Sequence, residues 1–278
     1  MYVWSRLSST QWTDSWEERF AGHVGAVITR IPGRKTVRVE VYCAEKKEAL
    51  AIQRQFGGVL RPVRARNWAA LRPELPPPVV VRDALLVSAD SDKKKLAALA
   101  QAHPGRSIIS IPPDMAFGTG HHATTATVLR LLVDFARSRK GKPWTLCDLG
   151  TGSGVLAIAA AKLGAQEARG CDFDPHAVRV ALHNVRRNRV RHVLIEEADV
   201  LGWKSGPRYD CVAANLFSDV LIAAFPKIVR TVKPGGTVLV SGILKSQAAE
   251  CLRAGEKAGL KFDTVITRGK WVTARGVR

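Results

Sequence analysis

The chain has 278 residues, 46% hydrophobic and 24% charged, which suits one large globular domain or two ordinary ones with a substantial core. Its 43 Lys and Arg against 24 Asp and Glu give a formal net charge of +19, which indicates either a polyanionic partner or a general arginine bias in the composition. No apolar run approaches the roughly 18 residues of a membrane span, the N-terminus has no apolar signal core, and the five scattered cysteines include no C-x-x-C pair, so we expect a soluble cytoplasmic protein with free thiols and no metal site.

The first region, residues 1–66, predicts a small α+β domain. Pro32-Gly33 separates two segments in which apolar and polar residues alternate, which is a hairpin signal. Strand patterns fall at 2–7, 26–30, 36–43 and 59–65, and helical patterns at 14–20 and 45–56. The resulting order βαββαβ is that of a ferredoxin-like, split-βαβ domain.

The next segment, residues 67–107, is interpreted as a linker and connecting segment. Four prolines between residues 72 and 78 favour a stiff turn. A strand is predicted at 79–87 and a lysine-rich helix at 92–102, and the pattern assigns these two elements to neither neighbouring domain.

The last region, residues 108–278, predicts an α/β domain. Apolar strands and helices alternate after residue 144, with strands at 145–149, 168–173, 193–198, 210–216 and 236–243 and helices at 155–163, 175–188 and 220–232. This alternation indicates βαβ units in a Rossmann-like, mostly parallel sheet. Two further strand patterns, at 262–267 and 271–274, predict an antiparallel C-terminal hairpin that closes the sheet.

A glycine-rich run follows the first strand of this domain and leads into a helix. Gly150, Gly152 and Gly154 allow a ligand to approach the backbone, and free N–H groups at the helix start attract an anionic group. The spacing is G-x-G-x-G, and Val155 stands where a dinucleotide fingerprint needs its last glycine. The run therefore favours binding of S-adenosylmethionine over a nicotinamide dinucleotide, and a plain strand-to-helix turn is the alternative.

Acidic residues end the next two strands. Asp172 is placed to accept hydrogen bonds from both ribose hydroxyls of a nucleoside. Asp174, which precedes Pro175, is predicted to be a helix N-cap. Asp199 lies where an acid meets an adenine amino group, and a solvent-facing turn residue is the alternative interpretation.

Asn215 follows the fourth strand, at the sheet edge where open α/β folds bind ligands. Its amide carbonyl can accept a hydrogen bond from an acceptor amine and aim the nitrogen lone pair at a methyl group. Methyl transfer is an in-line displacement that depends mainly on positioning. Asn215 is therefore the candidate catalytic residue, and capping of the following helix is the alternative.

A run of glycine, histidine and hydroxyl residues, 115–125, precedes the first strand of this domain and indicates a ligand-facing loop. His121 and His122 are adjacent, so they point in different directions and are not expected to share a metal ion. One of them is interpreted as structural or as a contact to the carboxylate of the cofactor.

Two of these runs, A-F-G-T-G-H-H-A-T-T and D-L-G-T-G-S-G-V-L-A-I, together with A-N-L at 214–216 and S-G-I-L at 241–244, resemble the ribosomal protein L11 methyltransferase family. The resemblance implies a class I S-adenosylmethionine-dependent fold at 108–278. It also implies an N-terminal ferredoxin-like domain at 1–66 that captures ribosomal protein L11, and trimethylation of amino groups of that protein, on lysine side chains and/or the N-terminal α-amine. It places cofactor binding on Thr125, Gly150, Asp172 and Asn215, and Thr125 rests on the resemblance. The chain departs from the family pattern in two places. Pro112-Pro113-Asp114 stands where the family usually has Asp-Pro-Gly, and only Asn67-Trp68 represents the tryptophan-rich segment that precedes the second domain.

Other functions remain as alternatives. A methyltransferase acting on RNA or a small molecule would suit the positive charge, and contact with ribosomal RNA through a basic surface is compatible with either acceptor. Leu216-Phe217 stands in place of the Pro-Pro-aromatic sequence that clamps a flipped base, which disfavours an RNA base as the acceptor. A non-catalytic RNA-binding or assembly protein is disfavoured by the intact glycines, Asp172 and Asn215.

Overall fold

The computed structural model describes residues 1–20, 25–31, 33–63, 75–112, 120–139, 141–202 and 206–278. The chain divides into two compact units, Met1–Glu74 and Leu75–Arg278. In the described part of the chain, no helix has both the length and the apolar character that crossing a membrane requires.

The smaller unit is one antiparallel sheet with two helices. Its elements are β1 (Tyr2–Ser9), α1 (Thr13–Arg19), β2 (Ala26–Arg30), β3 (Thr36–Cys43), α2 (Lys46–Phe56) and β4 (Val59–Pro62). The strand order β2-β3-β1-β4, with every neighbouring pair antiparallel, confirms the predicted ferredoxin-like arrangement. Alternate residues of β3 are buried and pack with Trp4 and Trp16 in the core.

The larger unit contains two sheets. Its elements are β5 (Val79–Val81), β6 (Leu85–Ser88), α3 (Lys93–Ala102), β7 (Ser107–Ser110), α4 (Ala123–Ser138), β8 (Thr145–Leu149), α5 (Val155–Lys162), β9 (Glu167–Asp172), α6 (Pro175–Arg187), β10 (Val193–Glu197), β11 (Tyr209–Asn215), α7 (Ser218–Thr231), β12 (Val232–Leu244), α8 (Ala248–Lys257), β13 (Lys261–Arg268) and β14 (Trp271–Val277). The seven-stranded sheet has the order β10-β9-β8-β11-β12-β14-β13.

Five strands of this sheet, β10, β9, β8, β11 and β12, run parallel, and β14 is antiparallel to both β12 and β13. The predicted Rossmann-like sheet with an antiparallel C-terminal hairpin is therefore confirmed. Leu146, Ala213 and Leu239 share one apolar cluster with α4 and α5, whereas Cys147 and Val212 belong to the cluster that contains residues of α7 and α8. Because neighbouring residues of a strand face opposite sides, the sheet is buried on both faces.

Residues 75–112 belong to the larger unit, so the predicted domain boundary at residue 108 falls inside β7. The three-stranded sheet β5-β6-β7 contributes Val81, Leu85 and Ile109 to the same apolar cluster as α4. The predicted single strand at 79–87 is two antiparallel strands, because Arg82 adopts φ +54° and reverses the chain. The prediction joined the apolar residues on either side of Arg82-Asp83 into one strand and missed this turn.

The five cysteines are all free and buried, as expected from their apolar surroundings in the sequence. Of the sequence features singled out above, residues 113–119, which include most of the A-F-G-T-G run, and Asn67-Trp68 lie outside the described residues.

Candidate functional site

A cavity of about 830 Å³ opens at the edge of the sheet where β8, β9 and β11 end. Since parallel strands all present their carboxyl ends at one edge, residues that are far apart in sequence meet there. Six of the seven predicted site residues line this cavity, namely Thr125, Gly150, Gly152, Asp172, Asp199 and Asn215. The seventh, Gly154, is absent from its wall.

The glycine run forms a tight loop between β8 and α5. Gly150 and Thr151 both donate their backbone N–H groups to the Cys171 carbonyl, at 2.9 and 2.8 Å. Gly150 has φ +72°, and a Cβ there would lie under 3.0 Å from the Leu216 side chain. Gly154 has φ +80° and would bring a Cβ to 3.2 Å from that of Ala181, so its small size serves the packing of α5 on α6.

Asp172 joins the end of β9 to the glycine loop. It is 8% exposed, and its Oδ2 accepts a hydrogen bond of 2.8 Å from the Gly152 N–H. Its Oδ1 accepts one of 3.1 Å from the Asp174 N–H. Each carboxylate oxygen keeps a further lone pair, so the group can still accept hydroxyl donors from the cavity. Asp174 itself caps α6 through the His176 N–H, at 2.8 Å, which confirms the predicted N-cap.

Asp199 is exposed at the cavity rim, and its Oδ1 accepts a hydrogen bond of 2.9 Å from the Leu201 N–H. This is the turn geometry that the alternative interpretation expected. Its location in the cavity wall leaves its second carboxylate oxygen available to a ligand, so the role at an adenine amino group stays a prediction.

Asn215 and Thr125 form the polar centre of the cavity. The Asn215 amide nitrogen donates to the Thr125 hydroxyl at 3.3 Å, which orients the amide. The Asn215 Oδ1 atom is buried and, among the described residues, has no hydrogen-bond partner. A buried carbonyl oxygen without a donor is costly, and Asn215 lines the cavity, so this oxygen is a candidate acceptor for a ligand that binds there. Capping of α7 by Asn215 was the wrong alternative, since Phe217 occupies the N-cap position.

The two adjacent histidines point in different directions, as predicted. His121 Nε2 lies 3.0 Å from the Pro77 carbonyl, away from its neighbour. His122 is the N-cap of α4, with Nδ1 2.7 Å from the Thr124 hydroxyl, and its ring lies edge-on to that of Trp271, 5.2 Å between centroids, in the cavity wall. In the part of the chain that the structure covers, no cluster of side chains suits a metal ion.

A buried carboxyl lies directly beneath the glycine loop and was not singled out in the sequence. Asp148 is fully buried, and its Oδ2 accepts a hydrogen bond of 2.6 Å from the Thr151 hydroxyl. Burial raises the pKa of this carboxyl to about 7, and the nearby Asp172 charge contributes to the increase. Its position at the end of an apolar strand, two residues before Gly150, was the available signal.

The aromatic residues Phe173, Phe217 and Trp271 of the cavity wall were not predicted as site residues. Phe173 and Phe217 follow Asp172 and Asn215 closely in sequence, so their proximity to the site could have been anticipated. The proximity of Trp271 to the site could not have been anticipated. Trp271 reaches the cavity only through the pairing of β14 with β12, which brings it opposite Leu244.

Comparison with known proteins confirms the family resemblance that the sequence motifs indicated. A family model described as "Ribosomal protein L11 methyltransferase (PrmA)" matches residues 23–278. Proteins named ribosomal protein L11 methyltransferase are 42% identical over 173 residues in Pelotomaculum thermopropionicum (62% of this chain, 54% of that protein) and 38% identical over 232 residues in Agrobacterium fabrum (76% and 78%). A third, from Rhizobium meliloti, is 42% identical over 192 residues, covering 67% of this chain and 62% of that protein. The matched segment thus spans between half and two thirds of the Pelotomaculum and Rhizobium relatives.

Among solved structures, the ribosomal protein L11 methylase of Lactobacillus delbrueckii subsp. bulgaricus is similar, with a TM-score of 0.62 and 25% identity. The likeness covers 72% of this chain and 98% of that one. It agrees with the predicted class I fold of the larger unit.

Proposed function

Because the chain belongs to the ribosomal protein L11 methyltransferase family, we propose that it transfers methyl groups from S-adenosylmethionine to amino groups of ribosomal protein L11. The acceptors are lysine side chains and/or the N-terminal α-amine, and the N-terminal ferredoxin-like unit recognises the protein substrate. The observation that carries the proposal is the buried Asn215 Oδ1 without a hydrogen-bond partner among the described residues, in the same cavity as the glycine loop.

The residues of the cavity fit the cofactor. Gly150 and Gly152 leave the backbone open to close approach, and the Asp172 carboxylate has free lone pairs for the two ribose hydroxyls. Asp199 would accept a hydrogen bond from the adenine amino group. The Thr125 hydroxyl orients the Asn215 amide, which faces the reacting groups. When bound, S-adenosylmethionine supplies an electrophilic methyl group on a sulfonium sulfur.

The chain's own contribution is to bind a neutral amine and aim its lone pair. A lysine ammonium has a pKa of about 10.4, and an α-amine one of about 7.7–8.0, so the lysine must lose its proton before it can react. Desolvation in the mainly apolar cavity favours the neutral amine, and the proton leaves to water. In the transfers to an amine that still carries hydrogen, the Asn215 Oδ1 then accepts one N–H, which points the nitrogen lone pair along a fixed direction.

A radiolabel transfer assay tests the proposal. The protein and labelled S-adenosylmethionine are mixed with ribosomes from a strain that lacks this methylation, with and without ribonuclease, and the proteins are separated by gel. We expect label in one band of the size of ribosomal protein L11, retained after ribonuclease treatment. Label on RNA alone would support the alternative acceptor. No label on any protein, with cofactor binding verified by calorimetry, would refute the protein substrate.

We also propose that α6 and the turn after it contact ribosomal RNA. Arg179, His183 and Arg186 are exposed and follow one another at helical spacing, and Arg189 and Arg191 are exposed in the turn that follows. None of these arginines forms an ion pair with a carboxylate among the described residues. A cluster of unpaired arginines attracts phosphate groups, because binding releases counterions.

Salt titration of RNA binding checks this interaction. The triple change Arg186→Gln, Arg189→Gln and Arg191→Gln should reduce the slope of log affinity against log salt by roughly 0.7–0.9 for each phosphate group that the protein no longer neutralises. Lys93→Gln, Lys94→Gln and Lys95→Gln on α3 remove the same charge from another exposed site and serve as the matched control. Equal changes in the two variants would mean that only net charge matters and that α6 does not bind RNA specifically.

A further inference from the structure

Two phenylalanines stand out by their exposure at the cavity. Phe173 is 74% and Phe217 70% exposed, more than any other large apolar side chain in the part of the chain that the structure describes. Both line the cavity. Single exposed apolar residues are ordinary, but two such rings at the rim of one cavity indicate surface that a bound molecule covers.

The backbone before Phe217 is fixed from two sides. The Leu216 N–H donates to the Ser241 carbonyl at 3.0 Å. Gly150 packs against the Leu216 side chain and Gly242 against the Leu216 backbone, each so closely that a Cβ would lie under 3.0 Å away. Leu216, the residue between Asn215 and Phe217, is thus packed closely against two glycines.

Phe217 is also an unusual residue for its position at the start of α7. It is the N-cap of α7, where Ser, Thr, Asp or Asn would accept a hydrogen bond from the first turn, and its side chain makes none. Replacing a capping side chain by an apolar one usually weakens a helix. A departure of this kind from the local preference is expected at a functional position.

The two rings lie beside different parts of the cavity, so they are expected to contact different parts of the bound molecules. Phe173 follows β9 and Asp172, and Phe217 follows β11 and Asn215, and these two strands flank β8 and its glycine loop. Phe173 therefore lies beside the carboxylate that faces the ribose, and Phe217 lies beside the amide that faces the amine. Of the two rings, Phe217 is the one that the acceptor side chain meets.

We infer that Phe217 is a specificity-determining residue that binds the acceptor lysine, with its ring packed on the lysine methylenes and facing the methylated ammonium between transfers. An aromatic face attracts cations, and alkylated ammonium groups bind there because they add apolar contact. A lysine that has received one or two methyl groups would thus be retained for the next transfer. This inference rests on the proposed function.

Steady-state kinetics and mass spectrometry of the product test the inference on the full-length protein with ribosomal protein L11. Phe217→Leu keeps an apolar side chain and removes the ring, and Phe217→Trp keeps an aromatic ring. Leu194→Ala, at an exposed apolar residue outside the cavity, is the matched control. Binding of S-adenosylhomocysteine, measured by calorimetry, reports separately on the cofactor site.

For Phe217→Leu we expect a KM for the acceptor roughly three- to thirtyfold higher, the range that removal of a cation–π interaction allows. We also expect a product distribution shifted from trimethylated towards mono- and dimethylated lysine, and cofactor binding unchanged within error. Phe217→Trp should retain the wild-type distribution. Phe173→Leu should instead weaken cofactor binding more than it raises the acceptor KM.

The possible results distinguish failure of the Phe217 inference from failure of the proposed function. If Phe217→Leu and wild type give the same KM and the same distribution, the inference fails and the proposed function stands. It fails equally if Phe217→Leu weakens cofactor binding as much as it raises the KM, because the ring then belongs to the cofactor site. If the wild-type protein labels no ribosomal protein, the proposed function fails and this inference fails with it.

Discussion

Replacing Asn215 by alanine should lower kcat for methyl transfer by about a hundredfold or more, the loss expected when a reacting group is no longer held in line. The affinity for S-adenosylhomocysteine should fall much less, because the glycine loop and Asp172 remain in place. Thermal stability should change little, since the substitution removes the hydrogen bond to the Thr125 hydroxyl but also a buried carbonyl oxygen that has no partner among the described residues. Kinetics, calorimetry and a thermal melt on the same preparation measure all three quantities.

Thr125 provides the matched comparison for Asn215. Thr125→Val removes the hydroxyl that accepts the Asn215 amide N–H, so the amide is no longer oriented. Turnover should then drop by up to about tenfold, the worth of one net hydrogen bond, and Thr125→Ser should restore most of it. Near-normal turnover of Asn215→Ala would remove Asn215 from the mechanism, and loss of cofactor affinity equal to the loss of kcat would make it a binding residue.

Replacing Gly242 by alanine should destabilise the larger unit by about 2–5 kcal/mol, the sum of left-handed backbone strain and overpacking. Gly242 has φ +85°, and a Cβ would press on the backbone of Leu216, which cannot move without displacing Asn215 and Phe217. Activity should fall together with stability, because the end of β11 carries Asn215, the proposed catalytic residue. Urea denaturation monitored by circular dichroism measures the free energy of unfolding.

Gly164→Ala is the control for Gly242→Ala. Gly164 has φ +90°, and no atom lies within 4 Å of the position that a Cβ would take. This variant therefore incurs only the backbone strain, about 1–2 kcal/mol. The difference between the two variants isolates the close approach at Leu216. Equal destabilisation would show that the backbone at 216 yields, and that it does not hold Asn215 and Phe217 in place.

The buried carboxyl of Asp148 helps to hold the glycine loop in its conformation. Complete burial raises the pKa of this carboxyl to about 7, against the opposing effect of the hydrogen bond that the Thr151 hydroxyl donates to it. A protonated or hydrogen-bonded carboxyl supports the loop from below, while the Gly152–Asp172 hydrogen bond ties it to β9. The loop that approaches the cofactor is thus held by two carboxyl groups from neighbouring strands.

Most of the site could be predicted from short stretches of sequence. The glycine run, Asp172 and Asn215 each follow an apolar strand, and parallel strands place their carboxyl ends at one edge, so their meeting in one cavity followed from topology. Thr125 came from the family resemblance, and its contact with Asn215 spans 90 positions, which no local pattern could reveal.

Local patterns, then, determined the ferredoxin-like and Rossmann-like units and the residues at the ends of the parallel strands, because periodicity and turn chemistry act over a few residues. Only the tertiary structure decided that the 79–110 sheet belongs to the larger unit, that β14 lies between β12 and β13, and that Trp271 reaches the cavity. It alone showed that Gly150 and Gly242 pack closely against Leu216 and that the neighbouring Phe217 is exposed. These features depend on pairing and close packing between segments distant in sequence, which become favourable only when the whole core forms.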